Sequence, residues 1–198
     1  MNIDIRVAEG HRYYFGDIEF KGNTKYTDVE LKKLVGIKKG DVYNSELLDK
    51  RLGKIPSAES DDIGSLYLDD GYLAFNTDIA EKSITGDTIN FEVRVVEGEQ
   101  YTIRNVHISG NDKTHEHVIR RELYTRPGNK FSRADIIRSQ REISNLGFFD
   151  AEKIGIQPVP HNDGTVDIDY TLTEKSADQL ELQTGFGGGL GITGTIGV

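Results

Sequence analysis

Glycines near the end of the chain have the spacing of a phosphate-binding loop. The run from Gly189 to Gly194, GLGITG, fits the pattern GxGxxG, in which small residues let backbone amides approach a pyrophosphate. Such a loop follows a strand, begins a helix and meets an acidic residue about 20 positions later. The residues after this run supply neither the helix nor the acidic side chain, so we do not predict a nucleotide site.

Other residues that could do chemistry also lack the spacing that the chemistry requires. His115 and His117 are two positions apart on a predicted helix, so they face different directions and do not form a metal-binding pair. Asp167 and Asp169 could form a carboxylate dyad, but a solvent-facing side of a strand explains them equally well. Four aspartates lack the alternation of a calcium loop and are expected at solvated helix ends: Asp61, Asp62, Asp69 and Asp70. The sequence therefore predicts no catalytic residue, no metal site and no cofactor, and we expect that the protein is not an enzyme.

Composition narrows the class of protein further. The chain has 198 residues, of which 36% are hydrophobic and 29% charged, which is typical of a folded globular protein. A net charge of −9 argues against a nucleic-acid partner, because phosphate binding needs clustered lysine and arginine. The chain has no cysteine, which excludes disulfides and thiolate metal sites. It also lacks a signal peptide, so an exported form is expected to be processed or a fragment.

An internal repeat organises the sequence. The segment IRVAEGHRY at residues 5–13 aligns with VRVVEGEQY at residues 93–101, an offset of 88 positions. The same offset places Gly22-Asn23 over Gly110-Asn111. Agreement in both order and spacing indicates a tandem duplication with units of about 80 to 90 residues.

Each unit is predicted to contain one strand, two helices and two further strands. Apolar residues with a period near two mark the first strand, and a glycine-asparagine turn ends it. Thr27 and Glu30 have the spacing of a capping box, which predicts a helix start. The second helix begins at Asn44 or Ser132, and Pro56 is expected to split or kink it in the first unit. The closing strands are predicted at residues 73–82 and 88–96, then 149–158 and 164–174.

Strand directions in this order predict the sheet. The third strand of each unit lies in the centre, parallel to the first and antiparallel to the second, and both helices cover one face. The fold class is therefore α+β, with two β-α-α-β-β domains and three-stranded mixed sheets of order 1-3-2. The second strand is left as an edge with unpaired backbone groups.

The last twenty residues alternate in character. From position 179 onward, even positions are mostly apolar and odd positions are polar or glycine. This pattern is typical of transmembrane β-barrel strands, each of about 9 to 11 residues, so two strands with a turn near residues 187–189 are expected. A flexible glycine-rich tail is the alternative, and it predicts no alternation.

Several motifs together resemble a known domain family. They are VxxVEGEQYxIxxVxIxGN at residues 93–111, VIRREL at 118–123, RPG at 126–128 and NLGFF at 145–149. The combination resembles the POTRA domains of BamA-like outer-membrane protein assembly factors, and in particular the last such domain before the barrel. The resemblance extends over residues 11–198.

The resemblance implies a domain plan and a location. Residues 1–10 are expected to be the last strand of a preceding POTRA domain, and residues 11–97 and 98–175 the penultimate and last POTRA domains. Residues 176–198 are expected to be the first strands of a truncated outer-membrane β-barrel. The protein would lie in the outer membrane, with this region in the periplasm.

The resemblance also implies partners. They are unfolded outer-membrane proteins, accessory assembly lipoproteins, and the outer membrane itself through the barrel. In the family, one helix of the last POTRA domain presents arginine to a partner lipoprotein. Arg120 fits that position, and Arg120 and Arg121 are the predicted docking residues, whereas Pro127 stands where an acidic residue is expected. An exposed face of an amphipathic helix explains the two arginines equally well.

Strand edges are the predicted binding sites for extended peptides, because an edge offers unpaired backbone groups. The predicted edge residues are Leu73, Ala74, Phe75, Asn76 and Thr77 in the first unit and Ala151, Glu152, Lys153 and Ile154 in the second. Two alternatives stay open. One is a POTRA region of a polypeptide-secreting transporter, and the other is a periplasmic binding or enzymatic domain, which would need a pocket with convergent polar residues.

Overall fold

The described residues fold into two α+β domains and one antiparallel pair of strands. The computed structural model describes residues 10–55, 61–175, 181–187 and 191–197. The strand predicted within residues 1–10 therefore lies almost wholly outside the described residues, as does the turn predicted near residues 187–189. None of the helices in the described ranges has the length and apolar character to cross a bilayer.

The first domain contains three strands and three helices. They are β1 (Tyr14–Lys21), α1 (Asp28–Val35), α2 (Ser45–Leu52), α3 (Ile63–Asp69), β2 (Asn76–Thr85) and β3 (Thr88–Val96). The sheet has the order β1-β3-β2, with β3 parallel to β1 and antiparallel to β2. This is the predicted mixed sheet.

The second domain repeats this plan. Its elements are β4 (Thr102–Ser109), α4 (Glu116–Arg120), α5 (Arg133–Asn145), a short 3-10 helix (Ala151–Lys153), β5 (Gly155–Pro160) and β6 (Thr165–Thr171). The sheet order is β4-β6-β5, with the same strand directions. Strands β7 (Glu181–Gly187) and β8 (Gly191–Gly197) then form an antiparallel pair. Two strands were predicted in this tail.

Capping side chains start the helices where the sequence predicts. The Glu30 amide donates to the Thr27 hydroxyl, and the Thr27 amide donates to the Glu30 carboxylate at 2.8 Å, which confirms the capping box. Asn44 accepts an amide at the start of α2, and Ser132 does so at the start of α5. The long helix expected in the first domain is split as predicted. Gly53 ends α2 with a φ of 82°, and Pro56 lies outside the described residues.

Each domain has its own apolar core between sheet and helices. In the first, the buried rings of Phe15 and Phe91 lie 5.8 Å apart between their centroids, and Tyr67 of α3 is fully buried. In the second, Ile143 of α5 packs in one cluster with the residues of β6, including Ile168. Burying each such side chain contributes roughly 1.5–3 kcal/mol, so each sheet is held under its helices by its own core.

The second strands begin later than the sequence predicts. Residues 72–75 form turns, in which the Leu73 amide donates to the Gly71 carbonyl at 3.0 Å and the Phe75 amide to the Tyr72 carbonyl at 3.1 Å. In the second domain, Asp150 accepts the Glu152 amide at 3.2 Å and caps the 3-10 helix. The apolar residues before β2 and β5 reflect packing in the cores and not strand alternation.

Candidate functional site

The outer strands of the sheets differ in how their free sides are paired. The start of β1 is covered, because the Phe15 amide donates to the Asp41 carbonyl at 2.8 Å and the Gly40 amide to the Phe15 carbonyl at 2.7 Å. In β4, Ile103 makes the same two bonds with residues 128–129. Among the described residues no such bond occurs on the outer side of β2 or β5, so we treat these second strands as the edges on which an extended chain could pair.

The edge of β2 presents free backbone groups at Ile79 and Glu81, whereas Thr77 is only 5% exposed. The Thr77 amide donates to the Asn76 side chain at 2.9 Å and not to β3. Val95, which lies opposite Thr77, directs its carbonyl toward β1, where it would lie 2.4 Å from a Cβ on Gly22. Thr77 and Val95 are thus a non-hydrogen-bonded pair of the ladder. Because such pairs alternate with hydrogen-bonded ones, the backbone N–H and C=O groups of Thr77, Ile79 and Glu81 point toward the free side of β2.

The regular part of this edge is short. The register of β2 shifts between Glu81 and Ser83, so uninterrupted pairing extends from Asn76 to Glu81. Bulges of this kind bend a strand away from a straight partner. No proline occurs in β2, and each of its outward residues keeps its N–H donor.

Most of the predicted edge residues lie outside the strands. Leu73, Ala74 and Phe75 belong to the turns before β2, with the Phe75 ring stacked on Tyr67 at 4.3 Å between centroids. The corresponding residues of the second domain form the 3-10 helix or precede β5: Ala151, Glu152, Lys153 and Ile154. Asn76 and Thr77 alone of the predicted set lie on a strand edge. The second strand begins at Asn76 instead of residue 73 in the first domain and at Gly155 instead of residue 149 in the second, and peptide binding at these edges stays a prediction.

Arg120 and Arg121 lie at the end of α4 and differ in their contacts. The Arg120 guanidinium pairs with Glu116 one turn earlier and donates to the Val106 carbonyl at 3.2 Å. Arg121 pairs with its neighbour Glu122 at 2.9 Å, and its side chain is 64% exposed. Arg120 is therefore held against β4, whereas Arg121 faces solvent.

Asp167 has a structural environment and not that of a catalytic dyad. It is 8% exposed, accepts two hydrogen bonds from the Arg104 guanidinium, and lies 2.9 Å from Nε2 of His161. It also accepts the Asn105 amide at 3.0 Å, within the bulge of β4. Hydrogen bonds from Arg104 hold the pKa of Asp167 well below its usual range, although burial opposes them. In the first domain, Asn90 fills the corresponding place and accepts the amide of the β1 bulge at 2.7 Å.

Two of the aspartates expected at solvated helix ends instead join the domains. Asp69 of α3 accepts the Ala134 amide at 2.7 Å and so caps α5 of the other domain. Asp70 binds Lys25 and Lys130, each at 3.0 Å, with one lysine from each domain. Burial alone would raise the pKa of Asp70, but the hydrogen bonds from these lysines leave it below its ordinary value.

Further contacts surround this joint. Leu68 and Leu73 of the first domain pack against the core of the second. The Tyr101 amide donates to the Gly71 carbonyl at 2.8 Å, and Arg133 of α5 donates to the Ser65 hydroxyl at 3.0 Å. Asp62, also expected in solvent, is 2% exposed and caps α3 through the Ser65 amide.

Comparison with known proteins assigns the repeated unit. The profile of the POTRA family, described as surface antigen variable number repeat, matches residues 13–98 and 101–175. The chain belongs to the POTRA family. The matches coincide with the two sheet-and-helix units, so each unit is one POTRA domain.

The relatives are assembly factors of outer-membrane proteins. The chain is 28% identical over 198 residues to the outer membrane protein assembly factor BamA of Neisseria meningitidis serogroup B, with 99% of this chain and 24% of that protein covered. It is 27% identical to a putative outer membrane protein assembly factor of Treponema pallidum, with 98% and 22% covered. The chain thus spans about a quarter of the length of these relatives.

Solved structures share the fold. The POTRA3-5 region of Haemophilus influenzae BamA superposes with a TM-score of 0.69 at 19% identity, covering 84% of this chain and 63% of that one. BamA of Haemophilus ducreyi lacking POTRA domains 1-3 gives a TM-score of 0.70 at 23% identity, covering 91% and 33%. These similarities support the tandem POTRA fold.

One carboxylate recurs in both POTRA domains and was not singled out from the sequence. Glu97 follows β3 and accepts the amides of Thr24 and Lys25 at 2.7 and 2.9 Å. Glu174 follows β6 and accepts the amides of Lys113 and Thr114 at 3.0 and 2.7 Å. Each therefore ties the chain leaving its domain to the loop after the first strand. The signal was present in the repeat, since a glutamate follows the last strand of each unit.

The described residues contain no obvious small-molecule chemistry. Within those ranges, no group of three or more His, Asp or Glu side chains is close enough to hold a metal ion. A cleft of about 140 Å³ lies beside the β1 bulge, and two of the charged residues that line it, Asp17 and Lys39, pair with each other at 2.8 Å. The backbone edge of β2 is the candidate site.

Proposed function

We propose that this chain is the periplasmic POTRA region of an outer-membrane β-barrel assembly factor. The POTRA domains belong to an outer-membrane protein and lie in the periplasm. They bind unfolded outer-membrane proteins by β-strand augmentation and assist their folding and insertion, without catalytic chemistry. The observation that carries this proposal is the open edge of β2 in a chain whose relatives are named as assembly factors.

Strand addition suits this task physically. Backbone hydrogen bonds give affinity without a strict sequence requirement, which is what a protein with many unfolded clients needs. The free outward groups of β2 lie at Ile79 and Glu81 within the regular part of the strand, so a short incoming strand can pair with them. The tail strands β7 and β8 are proposed as the first strands of the barrel, in keeping with the alternation of the sequence.

A proline at the edge tests the proposed binding mode. Ile79→Pro removes an outward N–H without removing a ladder bond, so the domain should stay folded. Loss of one backbone hydrogen bond should weaken binding of an extended peptide about three- to tenfold. The measurement is titration with a peptide of the sequence of residues 178–187, DQLELQTGFG, followed by amide chemical shifts.

The matched control changes the same side chain and keeps the backbone donor. Ile79→Val retains the amide, so it should bind as tightly as the wild type. Unchanged affinity of Ile79→Pro, or shifts confined to the helical face, would contradict pairing at this edge.

Docking of accessory lipoproteins is proposed at the end of α4. Arg121 is the better candidate contact, because Arg120 is held by Glu116 and the Val106 carbonyl. An Arg121→Glu chain should therefore co-purify with less accessory lipoprotein, with a loss of about tenfold or more if the arginine lies at the centre of the contact. Lys175→Glu, which changes an exposed charge outside α4, is the control, and capture at the wild-type level by Arg121→Glu would exclude this contact.

A further inference from the structure

The two POTRA domains present unequal edges. Strand β5 has the sequence GIQPVP, with prolines at 158 and 160, whereas β2 has none. Proline has no amide hydrogen, so its effect on an edge depends on the direction in which its nitrogen points. If the nitrogen points toward the free side, the sheet keeps its ladder and the edge loses a donor.

The hydrogen bond at the end of β5 fixes this direction. The His161 amide donates to the Thr165 carbonyl across the hairpin at 2.8 Å, so the backbone N–H of His161 points toward β6. Because this direction alternates along β5, the backbone nitrogens of Gln157 and Val159 also point toward β6. Those of Ile156, Pro158 and Pro160 point toward the free side. Both prolines thus occupy outward positions, as expected for prolines that do not break the ladder.

The consequence for binding is large. Of the three outward residues of β5, Ile156 alone keeps an N–H donor. All three outward residues of the regular part of β2 have an N–H, and those of Ile79 and Glu81 are free, while that of Thr77 donates to the Asn76 side chain. A strand added to β5 would leave its carbonyls without partners opposite Pro158 and Pro160, which costs free energy that water would otherwise recover. Prolines on an edge are a known means of preventing strand addition.

We infer that extended polypeptide segments pair with the first POTRA domain alone, along residues 76–81, and that Pro158 and Pro160 close the edge of the second. This inference rests on the proposed function and assigns its binding step to one strand. The second domain is then left to position the first relative to the chain that follows. An unfolded polypeptide segment that pairs with β2 then meets no competing edge at β5 of the second domain.

The test compares both edges in one titration. The full chain, labelled with ¹⁵N, is titrated with the peptide DQLELQTGFG, first in its natural form and then with Pro158→Thr and Pro160→Thr together. In the natural chain, amide shifts should change along residues 76–81 and not along residues 155–159. In the double variant, β5 should become a second site, with affinity gained about tenfold or more from two restored donors.

Each result has a distinct meaning. Shifts along β5 of the natural chain would overturn the inference while leaving strand augmentation intact. A double variant that folds but gains no binding at β5 would also overturn it, because the prolines would then not be the cause. Absence of shifts on both edges would overturn the proposed function itself. The single variant Pro158→Thr provides the same comparison if the double variant does not fold.

Discussion

Replacing Gly110 with alanine should unfold the second POTRA domain while the first remains folded. Gly110 has a φ of 80°, and a Cβ on it would lie 1.9 Å from the Leu172 carbonyl oxygen. The left-handed backbone alone costs an L-residue about 1–2 kcal/mol. The clash adds to this because the backbone fixes the position of the Cβ and the oxygen belongs to the backbone, so neither atom can rotate away. The total approaches the roughly 4–5 kcal/mol that only exceptional substitutions reach. Thermal unfolding followed by circular dichroism, with amide spectra to identify the domain, measures the result.

A second glycine of the same domain provides the control. Gly128 has a φ of 89° but no atom within 4 Å of a Cβ, so Gly128→Ala should cost about 1–2 kcal/mol and leave the domain folded. The repeat allows the same experiment in the first domain. A Cβ added to Gly22 would lie 2.4 Å from the Val95 carbonyl oxygen, so Gly22→Ala should unfold that domain. Equal destabilisation by Gly110→Ala and Gly128→Ala would show that steric contact with Leu172 is unimportant.

The double substitution Asp69→Ala and Asp70→Ala should uncouple the two domains. It removes the cap that Asp69 provides for α5, worth about 0.5–2 kcal/mol for a helix start, and the paired contacts of Asp70 with Lys25 and Lys130. We expect the domains to melt separately and to tumble with different rotational correlation times. Calorimetry and ¹⁵N relaxation measure these two quantities.

Acid should weaken the same joint in the natural chain. The pKa of Asp70 in the folded protein lies below its ordinary value of 3.8. The contribution of Asp70 to stability is therefore fully present above that value and is lost as the pH falls through the lower, folded pKa.

For the double substitution, Asp69→Asn is the control, because the amide oxygen can still accept from Ala134 and the joint should hold. If the double variant keeps a single correlation time, the joint is maintained by Leu68 and Leu73 packing instead.

Local sequence signals determined the plan of each domain. The 88-residue offset, the capping box at Thr27 and the glycine-asparagine turns predicted the order of strands and helices. Strand directions then predicted a central third strand, and both sheets have this order. These predictions succeed because turns, caps and periodicity act between residues a few positions apart, and because the short connections allow few arrangements of the strands.

Only the tertiary structure shows where the edge strands begin and which of them has a free side with N–H donors. Leu73 and Phe75 are large and apolar and alternate with the small Ala74, so they resemble the start of a strand. In the structure, Leu73 packs against the core of the second domain and Phe75 stacks on Tyr67. The prolines of β5 were visible in the sequence. Their effect became clear only from the direction of the His161 hydrogen bond, which decides whether a proline interrupts the ladder or closes the free side.

The partners of the charged residues were the feature that the sequence predicted least well. Asp69, Asp70 and Asp167 have no sequence context that distinguishes them from solvated carboxylates. Their partners lie far away along the chain, as Ala134 does from Asp69 and Arg104 from Asp167. The sequence by itself determined the repeat, the order of its elements and the topology of each sheet. The tertiary structure alone decided which carboxylates join the domains and which backbone edge stays open, because both depend on groups that meet only after the chain has folded.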